Sequence, residues 1–160
     1  MTAAPTTPDP DRPAALLVGS VWEPAPDPRP VRAAGTDRVI GRVGEASADQ
    51  LERATQAASE AFARTRRLAS YERGDLLRRV AELVTAEAEP LAQTLAAEIG
   101  KPITDARLEV SRTAMTFRMA GEEAERIGGE VLPLDLLPTA RNRVGIVRRM
   151  PIGPVAAITP

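Results

Sequence analysis

The chain of 160 residues contains neither cysteine nor histidine. Those two absences remove a thiol nucleophile, a disulfide framework, a Cys/His zinc site and a histidine general base. No metal site and no catalytic residue is therefore assigned. Lysine occurs once, at Lys101, so 20 of the 21 basic residues are arginine. Aromatic residues make up 2%, too few for the stacking platforms on which RNA-binding sheets hold bases. No apolar run approaches the roughly 18 residues of a membrane span. The opening MTAAPTTPDPDRPAALLVGS has no basic stretch followed by a long apolar core, so it does not read as a secretory signal. A net charge of -1 gives no field toward nucleic acid or a membrane surface. The expectation is a cytoplasmic chain, 43% hydrophobic, of about one domain.

What is present is ordered. Eight of the 15 prolines fall in the first 30 residues, and residues 1–13 read as a disordered tail. Ala14 to Val18 is a short apolar run suited to an edge strand. Val31 to Ala33 and Arg38 to Val43 flank a Gly35-Thr36-Asp37 turn and suggest a hairpin. Ser47 and Gln50 fit a capping box. Leu51, Ala54, Ala58, Ala61 and Phe62 then recur at helical spacing. Ser70 is a candidate cap for a second helix, with Leu76, Leu77, Val80, Leu83 and Val84 as its stripe. Pro90 suits the first turn of a third helix carrying Leu91, Leu95 and Ile99, which Gly100 ends and Pro102 keeps from continuing. A fourth helix is expected from about Thr104 to Arg126, stopped at Gly128-Gly129. Arg143 to Arg148 reads as a partly exposed strand. Pro154 to Ile158 is wholly apolar, as in a strand covered on both faces of a parallel sheet.

Glu98-Ile99-Gly100-Lys101-Pro102, then Glu109-Val110, then Pro151 to Pro160 (PIGPVAAITP), resembles the N-terminal part of aldehyde dehydrogenases. Leu16 to Trp22 (LLVGSVW) is similar to that family's opening strand and turn, and Arg73 to Leu83 (RGDLLRRVAEL) to its second helix. The resemblance implies an α/β parent fold. Residues 14–130 would be a small β element and about four helices. Residues 131–153 would start an oligomerisation arm, and residues 154–160 the first strand of a parallel dinucleotide-binding sheet. It implies NAD(P)-dependent oxidation of a small aldehyde to a carboxylic acid, with Ile158, Thr159 and Pro160 bordering NAD or NADP. The family's nucleophilic cysteine, general-base glutamate and glycine-containing cofactor turn lie further on. The chain is thus expected to be an amino-terminal piece, inactive and without cofactor when isolated. A helical interaction module for aldehyde dehydrogenase subunits and a split enzyme are the alternatives. The form of the last ten residues is most similar to members acting on small hydroxylated or phosphorylated aldehydes.

Several charged residues invite a role. Lys101 reads as a solvated cation past a helix end, favoured by the helix dipole. Glu98 and Glu109 read as salt-bridging carboxylates rather than an acid–base pair. Glu72, Arg73 and Asp75 read as helix-start charges without chemistry. Arg141, Arg143, Arg148 and Arg149 form a basic patch. Without interleaved aromatics it points away from nucleic acid and, by the resemblance, toward homo-oligomer formation through the arm near Arg141 to Arg149.

Overall fold

A computed structural model describes residues 13–159. Most of the expected tail, and Pro160, lie outside them. Pro13 itself already belongs to the fold: it bridges Arg42, and the Ala14 amide donates to the Arg42 carbonyl at 2.8 Å.

Two hairpins open the structure. β1 (Ala15–Val18) pairs antiparallel with β2 (Val21–Pro24), turning at Gly19, whose φ of 63° is the left-handed region glycine tolerates. β3 (Arg29–Arg32) pairs with β4 (Val39–Val43), as the Gly35 turn signal predicts. Four helices follow: α1 (Ala48–Thr65), α2 (Ser70–Ala86), α3 (Ala88–Ile99) and α4 (Ile103–Arg126). A last hairpin joins β5 (Gly129–Pro133) to β6 (Val144–Arg148).

α1 begins as its sequence dictates. The Gln50 amide donates to Ser47 Oγ at 3.1 Å, and the Ser47 amide to Gln50 Oε1 at 3.0 Å. The same Gln50 is buried and donates from its side-chain amide to the Pro24 carbonyl at 3.1 Å. One turn on, Arg53 forks onto Glu23 with distances of 2.5 and 2.7 Å. Capping and docking are therefore one event: the residues that start α1 also fix it to β2.

Helix α2 starts one residue earlier than a Ser70 cap requires. Ala69 takes the cap position, and the Glu72 carboxylate accepts from its amide at 2.6 Å. Ser70 Oγ accepts instead from Arg73. Arg73 also donates to the Leu68 carbonyl at 2.7 Å and, across the bundle, to the Ala124 carbonyl at 3.3 Å. It bolts the α1–α2 turn to the end of α4, a structural task beyond that of a helix-start charge.

The helices meet on small residues. A Cβ on Gly121 would stand 3.1 Å from the Gly74 carbonyl oxygen, so α2 and α4 cross at backbone contact. Ala81, Ala114 and Ala124 extend that seam, and Ala92, Ala106 and Val110 form the α3–α4 core. Among the described residues no large side chain is fully buried. The expected α2 stripe splits. Leu77, beside Gly121, and Val84, against the α3–α4 core, turn inward, while Leu76 and Leu83 lie off that side of the helix and are exposed.

Gly100 ends α3 at φ 78°, and a Cβ there would lie 2.8 Å from that of Ala34, where the β3–β4 turn donates from the Ala34 amide to the Ala97 carbonyl. The expected parallel strand is not formed. All three sheets are two-stranded and antiparallel, and residues 149–159 make no ladder among the described residues. A strand needs at least one hydrogen-bonded neighbour, and among the described residues this segment has none.

Replacing Gly121 with valine is expected to lower stability by about 1–3 kcal/mol, because overpacking outweighs the gain in helix propensity. Urea unfolding measures it, and an unchanged midpoint would refute the backbone-contact seam. A second expectation concerns pH. The Arg53 fork, above all, holds the Glu23 carboxyl at about 2 rather than 4.5. A lowered folded value favours the ionised, folded form, so this contribution is complete above about 4.5 and is lost as pH falls toward 2. Carboxyl NMR titration should place Glu23 near 2, and Arg53→Ala should return it toward 4.5.

Candidate functional site

The β5–β6 hairpin is the most exposed ordered part of the fold. Its register sets Val131 opposite Ile146 and Leu132 opposite Gly145. Side chains alternate across a ladder, so Val131, Val144 and Ile146 share one face, and they are 72%, 63% and 74% exposed. The other face carries Leu132 and Val147, with Leu134 folded over Gly145. At the base, Gly129 lies directly against the Val147 carbonyl, leaving no room for a Cβ. At the tip, a 3-10 turn at Pro138–Ala140 and Asn142 at φ 66° reverse the chain, and the Leu134 amide reaches the Arg143 carbonyl at 3.1 Å. Among the described residues no strand pairs with either outer edge of this two-stranded sheet.

A concave cleft of about 1690 Å³ lies between this hairpin, the α1–α2 turn and the end of α4. Leu68, Ile127, Val131 and Ile146 supply apolar walls. Arg66, Arg67, Arg148 and Arg149 stand at it, with Glu123 and Glu130 as the acidic counterparts. Arg73 and Arg126 also line it but are engaged, the latter with Glu123 at 2.6 Å. Arg66 lies over the Phe62 ring at 5.5 Å.

The expected basic patch divides. Arg148 and Arg149 sit at the hairpin base, facing the cleft, while Arg141 and Arg143 sit at the tip. Four residues lie between Arg143 and Arg148, five steps along the strand or roughly 16 Å at the usual rise. The pattern that looks continuous in sequence is therefore two arginine pairs at opposite ends of an arm.

Lys101 is not simply solvated. Its ammonium is paired with Glu109, and its side chain is only 26% exposed. That pairing is the leading cause that lowers the Glu109 carboxyl below 4.5. Glu109 thus salt-bridges as expected, whereas Glu98 is exposed and takes no part. A further clamp that sequence reading missed joins α3 to α4: Arg107 forks onto Glu89 with two distances of 2.9 Å, and Glu89 is held at about 2. Ile158 is 98% exposed and Thr159 is also exposed. Pro160 lies outside the described residues. Among the described residues no strand pairs with the segment that carries Ile158 and Thr159. No group of three or more metal-capable side chains occurs among the described residues.

The order of these elements has counterparts in known proteins. Residues 22–160 match the family model described as "Aldehyde dehydrogenase family". The chain belongs to the aldehyde dehydrogenase family. It is 35% identical over 145 residues to 3-sulfolactaldehyde dehydrogenase of Priestia aryabhattai, a match covering 91% of this chain and 30% of the relative. Its fold is similar to the crystal structure of aldehyde dehydrogenase 21 from Physcomitrella patens in complex with the reaction product succinate. The TM-score is 0.79 at 34% identity, over 88% of this chain and 29% of that one. The NAD-dependent aldehyde dehydrogenase of Sinorhizobium meliloti gives a TM-score of 0.71 at 29% identity, covering 88% of this chain and 30% of that one. The chain therefore spans about a third of the length of the relatives it matches. No helix among the described residues is long and apolar enough to cross a membrane.

The Val131–Ile146 face of the arm makes a direct expectation. Replacing Val131 and Ile146 together with lysine should sharply reduce binding of the dye ANS. Stability should change by no more than about 0.5 kcal/mol per site, since neither side chain is buried. Undiminished dye binding would show that the exposed apolar surface lies elsewhere.

Proposed function

We propose that this chain forms the N-terminal part of an NAD(P)-dependent aldehyde dehydrogenase that oxidises a small aldehyde to a carboxylic acid. The observation that carries the reading is the family match across residues 22–160, supported by the fold likeness at a TM-score of 0.79. The family relationship also favours a cytoplasmic setting and NAD or NADP as hydride acceptor. Members related to this chain act on 3-sulfolactaldehyde or hold succinate as product, which favours a short aldehyde bearing an anionic or hydroxyl group.

Within that reading, this chain positions rather than reacts. It has no cysteine to attack a carbonyl and no histidine to move a proton, so the isolated chain is inactive. Its helices frame the start of the cofactor domain. Ile158, Thr159 and Pro160 lead toward the cofactor, with their walls supplied by the remaining polypeptide. The arm near Arg141 to Arg149 joins subunits into a homo-oligomer, its open strand edges and the Val131–Val144–Ile146 face being the surfaces used.

The test is a chimera in which residues 15–160 replace the matching segment of 3-sulfolactaldehyde dehydrogenase. It should form NADH or NADPH from an aldehyde, while the 160-residue chain alone forms neither. The same chimera carrying Ile146→Lys should elute at a smaller mass. A folded chimera without oxidation, or oxidation by the chain alone, overturns the reading.

A further inference from the structure

Side-chain amines are the groups that aldehydes modify most readily, and this chain has one. Lys101 follows Gly100 at the corner between α3 and α4, and its ammonium is paired with Glu109, two turns into α4. Three-quarters of its side chain is covered. The corner is crowded: Gly100 stands against Ala34, and the Ala34 amide is hydrogen-bonded to the Ala97 carbonyl at 3.0 Å.

We propose that Lys101 is the one side chain of this chain at which an aldehyde can form an amine adduct, and that Glu109 withholds it from that reaction. The 20 other basic side chains are arginines, whose guanidinium remains protonated in proteins and does not form the simple imine. Imine formation requires the ammonium to give a proton to solvent and expose a lone pair. The nitrogen then bonds to the aldehyde carbon, and one water leaves carrying the carbonyl oxygen. While Lys101 is held against Glu109, the first step requires breaking a charge-assisted hydrogen bond and parting an anion from its cation. An adduct would put an alkyl group on the nitrogen that now meets Glu109. The pairing therefore protects the amine. The reagent class rests on the aldehyde-handling function proposed above, whereas the shielding itself rests on the Lys101–Glu109 pair.

The experiment exposes the whole 160-residue chain to propanal and sodium cyanoborohydride, which delivers a hydride to the imine and fixes it as a secondary amine. Peptide mass spectrometry separates Lys101 from the terminal amine. Lys101 should alkylate about tenfold more slowly than Nα-acetyl-lysine amide in the same tube, the effect of one charged hydrogen bond. Glu109→Gln should bring it to within about threefold of that amine. Independently of any substitution, 1 M salt should accelerate Lys101 relative to the free amine by screening the pair. Lys101 reacting as fast as the free amine in the unaltered chain overturns the proposal. So does slow labelling in a Glu109→Gln chain of unchanged helix content, which would assign the shielding to burial alone. Labelling is read without any enzymatic turnover, so a failed chimera assay leaves this result standing, and the converse also holds.

Discussion

The approach of α4 to α2 at Gly121 and Gly74 governs the rest of the molecule. Two helix backbones in contact leave no space between them for a branched or aromatic side chain. Alanine must therefore continue the seam in both directions, and it does, at Ala81, Ala114 and Ala124. Close backbones gain from dispersion over many short contacts, but each alanine removes little apolar area from water. Orientation is then left to polar ties at the rim. Arg78 holds Asp75 and Glu125 together, Arg73 spans to the Ala124 carbonyl, and Arg107 clamps Glu89. The abundance of arginine has a use here, since its planar fork can serve two acceptors at once.

The same geometry explains where the large apolar side chains went. On α4, Leu108, Met115 and Met119 recur at spacings of seven and four, opposite the buried face, and each is more than half exposed. On α2, Leu76 and Leu83 do the same. Together with the arm, they give a chain that spans about a third of its relatives a surface resembling a domain cut open. The helices present apolar faces and the arm presents strand edges.

Local signals in the sequence were legible because they act over a few residues. Ser47 and Gln50 specify a helix start, Gly35 a hairpin turn and Gly100 a helix stop by short-range sterics and hydrogen bonding. Four helices in the right order, and the family to which they belong, follow from such features. What escaped was long-range. Glu23 and Arg53 are 30 residues apart, and no periodicity announces their fork. Gly121, a lone glycine inside a helical pattern, is the local hint of close packing, but it does not name the element packed against it. The leucine stripe of α2 misled for a related reason. Spacing shows which residues share a face, while the size of the facing residues decides which face is buried. Pro154 to Ile158 carries the composition of a buried strand, but a strand exists only with its neighbours.

The alanine seam also shapes how stability varies with temperature. The heat capacity gained on unfolding tracks the apolar surface newly exposed. Here much of that surface is exposed already, with Ile146, Val155 and Ile158 among its largest contributors. Unfolding therefore adds less heat capacity than a typical chain of 160 residues would, and its dependence on denaturant is shallow for the same reason. The free energy of folding becomes a low, broad dome, changing little between a cold room and body heat. Covering the open faces would both raise that dome and sharpen it.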